Sequence, residues 1–281
     1  MMPRTSLAQQ SEPLFRVGPY LRVVHASVER IWENVLDWEH LPHLHGDSFS
    51  SIRLKDSSAQ GWRALVTSVA SLGGTESEIE VAIDRADLRY VTRTLDGAGA
   101  GTEIVTKLVP VDASSTRIEV DFLVPGVSEE HAGLVGVFYR RLYARLWDQD
   151  EAMIVERERV IARASSRIRR VPDDRRAPVP LGDARELKKR LPLLVEIADR
   201  TYRIVELEGA IVVHSATCPH MGASLGSTCV EPDGCVTCPW HGYRFDLATG
   251  TSADGRKLRL APAPHVDVDA GTGEAFLRWQ I

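Results

Sequence analysis

Between positions 218 and 241 the chain reads Cys218-Pro-His220, then seventeen residues, then Cys238-Pro-Trp-His241. No other feature restricts the fold as much, because two separate loops must each bring one thiolate and one imidazole to the same place. All four cysteines of the 281 residues fall between Cys218 and Cys238, so they mark one site rather than a framework of bridges along the chain. In a reducing compartment, clustered Cys and His mean metal more often than disulfide. Two kinds of centre use two Cys and two His. Structural zinc generally takes its cysteines from a wider C-x2-4-C spacing, and a C-x-H pair is unusual there. A 2Fe-2S cluster with two thiolates on one iron and two imidazoles on the other needs one of each from each loop.

Both loops resemble the Rieske family beyond the four ligand positions, in Pro219, Gly222, Pro239, Gly242 and the run Tyr243 to Asp246. The resemblance implies a 2Fe-2S cluster held by Cys218, His220, Cys238 and His241. High-potential members of that family carry an extra disulfide between the loops. The matching positions here are Ala223 and Trp240, which implies the lower-potential ferredoxin or oxygenase kind. Cys229 and Cys235 flank the turn Glu231-Pro-Asp-Gly234 and are expected across a hairpin as free thiols.

The length suits about two domains of ~150 residues. Hydrophobic residues at 43% and charged residues at 26% are those of an ordinary globular chain. A formal charge of −5 gives no general attraction to nucleic acid or anionic lipid. No run approaches the ~18 apolar residues of a membrane span, and the opening residues lack an apolar export core, so a cytoplasmic location is expected.

Residues 1–17 lack periodicity and are expected to form a mobile tail, followed by a first strand at Tyr20 to His25. Ser27 can cap a helix from Val28 to about Leu41, which Pro42 should stop or kink. From Phe49 to Val124 the apolar residues alternate with period two between Gly- and Ser-rich turns, as in an antiparallel meander. A helix without proline follows from about Glu129 to Arg167. The order strand, short helix, curved sheet, long helix over residues 18–168 resembles the helix-grip fold of the START/Bet v 1-like (SRPBCC) superfamily. That fold implies an apolar cavity for a hydrophobic or aromatic ligand. Residues 169–180, rich in Pro and charge and including the basic residues up to Arg176, read as a stiff solvated linker. Residues 181–281 then read as a small all-β domain, giving an α+β chain of two domains.

The short helix carries Asn34, Asp37 and His40 three apart, on one face. His45 is five beyond His40, which would turn it ~140° away on an unbroken helix, but a break at Pro42 could swing it back. His43 competes, being three from His40. Two His and one carboxylate leave open positions for oxygen and substrate on a non-haem iron. In the long helix Val135, Tyr139, Leu142, Leu146 and Met153 form an apolar stripe that contains Asp150, whereas Asp148 and Glu151 point elsewhere. A carboxylate there is costly to bury unless paired or bound to metal.

The pattern E-N-x2-D-x2-H-x4-H resembles the mononuclear-iron motif of Rieske oxygenases, and Asp150 resembles their late carboxylate ligand. By that resemblance His40, His45 and Asp150 bind Fe(II), and Asp37 links an iron-ligand His to a Rieske His. The domain order is the reverse of that in familiar Rieske oxygenases. The resemblance implies a homotrimer with transfer between subunits, while the linker allows transfer within one chain. It also implies hydroxylation or oxidative dealkylation of a hydrophobic or aromatic small molecule with O2. No Rossmann glycine fingerprint is evident, so a separate NAD(P)H-dependent reductase or ferredoxin must supply electrons. The alternative is a hydrophobic-ligand-binding protein whose tethered Rieske ferredoxin domain acts only in electron transfer.

Overall fold

The computed structural model describes residues 13–168 and 177–279. Most of the expected tail, residues 1–12, and most of the expected linker, residues 169–176, lie outside the described residues. The chain divides into two units between Ile154 and Val155, each described by itself.

The first unit runs β1 (Leu14–Val24), α1 (Val28–Leu36), a 3-10 turn (Trp38–His40) and α2 (Leu41–Leu44). Then come β2 (Phe49–Ser58), β3 (Gly61–Ser68), β4 (Glu76–Asp84), β5 (Arg89–Asp96), β6 (Glu103–Asp112), β7 (Ser115–Pro125) and α3 (Glu129–Ile168), whose residues after Ile154 belong to the second unit. The seven strands form one antiparallel sheet in the order β1-β7-β6-β5-β4-β3-β2. Six strands are therefore a plain meander, and β1 returns to the far edge beside β7. On β7, Thr116, Ile118, Val120 and Phe122 are buried while the residues between them are not, the period-two pattern of a sheet covered on one face. The cover is α3, whose Tyr139 stacks on Phe122 at 5.1 Å and whose Tyr143 meets it edge-on at 4.9 Å. This is the helix-grip arrangement. Burying a side chain such as Phe122 contributes up to about 3 kcal/mol.

Four features of this unit differ from expectation. Leu14 to Arg16, expected in the tail, already pair with β7, and the register shift between Arg16 and Pro19, where Gly18 has φ +117°, breaks the alternation that would reveal them. The single helix expected from Val28 to Leu41 ends at Leu36, with Asp37 as its C-cap at ψ 79°. Pro42 stops nothing: it sits in the first turn of α2, where a missing N–H costs no hydrogen bond. The packed face of α3 is Val135, Tyr139, Tyr143, Trp147 and Ile154, rotated from the expected stripe, so Leu142 and Leu146 lie outside this core.

The second unit contains β8 (Val179–Asp183), α4 (Ala184–Lys189), β9 (Leu193–Ile197), β10 (Arg200–Leu207) and β11 (Ala210–Ser215). It continues with β12 (Cys235–Thr237), β13 (Arg244–Asp246), β14 (His265–Val268) and β15 (Glu274–Arg278). Its sheets have the orders β11-β10-β9, β12-β13 and β14-β15-β8. Val179 and Pro180, expected in the linker, already belong to β8, which pairs with β15. Leu181, Leu187, Ile204, Ala275 and Leu277 form a core in this unit. Among the described residues, no helix is long and apolar enough to cross a membrane.

Candidate metal centres

The two cysteine loops are the same turn used twice. In the first, the amide of Cys218 donates to the carbonyl of Ala223 at 2.8 Å, and the amide of Gly222 donates to that of Cys218 at 3.1 Å. In the second, Cys238 donates to Tyr243 at 2.8 Å and Gly242 to Cys238 at 2.9 Å. Both glycines have positive φ, +93° and +66°, which a side chain disfavours. The C-x-H and C-x2-H spacings thus place the histidine one position apart on equivalent turns.

Those turns bring like to like. The Nδ1 atoms of His220 and His241 face each other at 3.4 Å, which is about the edge of a tetrahedron with metal–nitrogen bonds of ~2.1 Å. Cys218 and Cys238 are buried, with their thiols in mutual hydrogen-bonding range. Hydrogen bonding to Cys218, opposed by burial and aided by His241, pulls the Cys238 thiol below the ordinary cysteine range, while the same partnership pushes Cys218 up. One sulfur of the pair is a ready thiolate, the ligand form of cysteine. A paired-thiol end and a paired-imidazole end fit a two-iron cluster better than one tetrahedral ion. Tyr243 lies against both imidazoles, at 4.7 and 5.5 Å, and the Arg256 guanidinium lies over its ring at 3.9 Å. Ala223 and Trp240, one in each turn, are both buried. Cys229 and Cys235 are free thiols, and they are not register partners: Val230 bridges Val236 instead.

In the first unit, His40, His45 and Asp150 come together. Each offers an atom such that all three lie within 4.8 Å of one another, and all three residues are buried. His40 Nε2 is 3.4 Å and His45 Nε2 3.1 Å from the same Oδ1 of Asp150, near the ~3 Å edge of an octahedron with ~2.1 Å bonds. The break at Asp37 makes this possible, since it sets His40 and His45 on two short helical turns rather than opposite sides of one rod. His43 is exposed and outside the group.

Both outer ring nitrogens are turned to oxygen. His45 Nδ1 donates to Gln149 Oε1 at 2.7 Å, and His40 Nδ1 faces Asp37 Oδ2 at 3.6 Å. Partners of this kind orient a ligating imidazole and set its tautomer. Asn34 Nδ2 donates to Asp150 Oδ1 at 3.0 Å. Arg145 donates to Ser48 Oγ at 2.8 Å, and the Ser48 amide binds the carbonyl of His45, securing the turn after it. A lone pair on either Nε2 facing a carboxylate requires a proton or a cation between them. With protons, burial opposes the His40 imidazolium, but Asp150 and Asp37 outweigh it and bring the group up to about 9. Burial likewise opposes ionisation of Asp150, yet His40 and His45 hold it well below the usual carboxylate range. Desolvation, reinforced by the charge of Asp150, keeps the Tyr90 and Tyr143 phenols protonated. The donor set fits a metal of the two-histidine, one-carboxylate kind.

Sequence reasoning placed Asn34 on the right face without a role and missed Gln149 and Arg145. Gln149 precedes Asp150 on α3, and nothing in a helical pattern distinguishes it from a solvated glutamine. Asp148 and Glu151 do point elsewhere, to Arg22 at 2.6 and 2.5 Å.

Residues 177–263 match the Rieske (2Fe-2S) domain family. No curated protein matches the chain. Among solved structures, a START superfamily protein from Mycobacterium smegmatis is similar, with 20% identity over 48% of this chain and 97% of that one, TM-score 0.41. Norcoclaurine synthase from Thalictrum flavum shares 17% identity over 56% and 95%, TM-score 0.42. The ferredoxin of carbazole 1,9a-dioxygenase from Nocardioides aromaticivorans shares 23% over 37% and 99%, TM-score 0.30. The second unit contains a Rieske domain, which implies a 2Fe-2S cluster and an electron-transfer function.

Proposed function

We propose that the chain is an oxygenase in which the Rieske cluster stores electrons from a separate reductase or ferredoxin, and His40, His45 and Asp150 hold a mononuclear Fe(II). The observation that carries this reading is the convergence of two imidazole Nε2 atoms on one buried carboxylate oxygen, with the outer nitrogens turned to Gln149 and Asp37. When bound, an iron of this kind keeps open positions at which O2 and substrate can meet. Hydroxylation takes RH, O2, two electrons and two protons to ROH and water. Gln149 keeps the His45 proton on Nδ1 and leaves Nε2 for the metal. Asp37 faces the buried Nδ1 of His40 from 3.6 Å, outside hydrogen-bond range, and is the polar group through which a proton or an electron reaches that ring. The Tyr90 and Tyr143 phenols stay neutral, and the apolar, partly aromatic core to which they belong favours a hydrophobic or aromatic substrate.

Iron content tests the reading. Protein reconstituted anaerobically should hold about three irons per chain, with the Rieske visible and EPR features present. His40→Ala and Asp150→Ala should each drop the content to about two with those features kept. A wild-type protein with two irons and full Rieske features supports the other reading, an electron carrier with a ligand-binding first unit. The metal-free balance of the site favours that reading: the His40 imidazolium and the Asp150 carboxylate satisfy each other.

A further inference from the structure

Within the second unit, a cavity of 260 Å³ opens against the first cysteine turn. Arg163, Arg200 and Arg259 line it with a single carboxylate, Asp199, and the lining continues over Thr217 to Cys218 itself. The half-buried Arg200 has no side-chain partner among the described residues. Arg259 gives one Nη2 hydrogen to the carbonyl of Thr249 at 3.0 Å, which leaves most of its five donors unspent. Neither arginine holds the cluster loops. Planar guanidinium forks match carboxylate and phosphate oxygens. The volume is just under the ~300 Å³ at which ligand pockets begin, enough for a small anion. A partner protein would need a docking face of about 800 Å², so a small molecule suits the cavity better.

We propose that this cavity binds a small oxyanion, a carboxylate or a phosphate, held chiefly by Arg200 and Arg259, and that its occupancy lowers the reduction potential of the cluster beside it. The cluster gains one electron on reduction, and therefore one negative charge. The bare arginines favour that charge, and a bound anion cancels them and adds repulsion across a partly desolvated gap. The inference rests on the Rieske cluster and is independent of the mononuclear iron.

The test uses the full chain with its cluster loaded, checked by its visible spectrum. Inorganic phosphate and malonate are each titrated calorimetrically at constant ionic strength, which separates the two anion sources. At least one should bind saturably. Arg200→Gln should weaken it about 10- to 100-fold, the loss of one charge-assisted partner, with the spectrum unchanged, and Arg259→Gln should act in the same direction. In a dithionite titration, saturating anion should lower the midpoint of the wild type and leave that of Arg200→Gln nearly in place. No saturable binding below roughly 10 mM, or equal binding by both variants, overturns the site. Binding with an unmoved midpoint overturns the link to the cluster. A chain without Rieske features would show that failure in its spectrum, separately from the calorimetry.

Discussion

The Nε2 of His45 lies 3.1 Å from Oδ1 of Asp150, joining a turn near the start of the chain to the middle of α3. Two electron-rich atoms are stable at that distance only with a proton or a cation between them, and the surrounding hydrogen bonds orient the groups that hold it.

Gln149 fixes the other face of His45, so Gln149→Leu should weaken Fe(II) binding about 10- to 100-fold, the usual effect of removing an outer-sphere partner. Competition with a chelator measures this, and the Rieske spectrum serves as the internal control. Unchanged affinity would reduce Gln149 to a packing residue.

Asp37 should behave differently. Asp37→Asn keeps a polar group beside His40 and should keep about three irons per chain, while slowing turnover roughly 10- to 100-fold. Stopped-flow reoxidation of the reduced cluster with substrate and O2 reads the change. A variant that loses iron instead would make Asp37 a structural support of the site.

Gly222 has φ +93°, and a Cβ there would come within 2.9 Å of Val160 Cγ1. Gly222→Ala should therefore cost about 1–3 kcal/mol and lower cluster retention. Adding Val160→Ala removes both Cγ contacts, keeps the Cβ at 3.1 Å and leaves the backbone strain, so the double variant should recover only part of the loss. Thermal unfolding with iron analysis separates the two contributions, and full recovery would assign the whole cost to the clash.

Glu151 ties α3 to β1 through the amide of His25 at 2.8 Å and Arg22 at 2.5 Å. Burial pushes its carboxyl up, but His25 and Arg22 prevail and hold it below the ordinary 4.5. A depressed folded value means that the stabilisation is fully present above about 4.5 and fades as pH falls through the folded value. The melting temperature of Glu151→Gln should accordingly sit below that of the wild type at pH 6 and approach it in acid. A constant gap across the acid range would show that the ion pair contributes nothing through ionisation.

Much of the fold can be read from local pattern. Period-two alternation marks β7, since Ile118, Val120 and Phe122 must face one way whatever lies opposite. The stretch before Tyr20 was hidden because Gly18 and Pro19 break the alternation, and pairing with β7 supplies what local pattern lacks. Pro42 reads as a helix stop or kink in the sequence because a proline at the first turn and one at an end look alike without the backbone around them.

The sequence by itself determined that Cys218, His220, Cys238 and His241 come together, because equivalent short turns with glycine at the same place close almost without regard to the rest of the chain. Only the tertiary structure decided which histidine joins His40 and Asp150, and that Gln149 and Asn34 attend them. The physical reason is range: a cluster loop closes through hydrogen bonds four and five residues apart, whereas the pocket around Asp150 exists only once α3 has packed across the sheet.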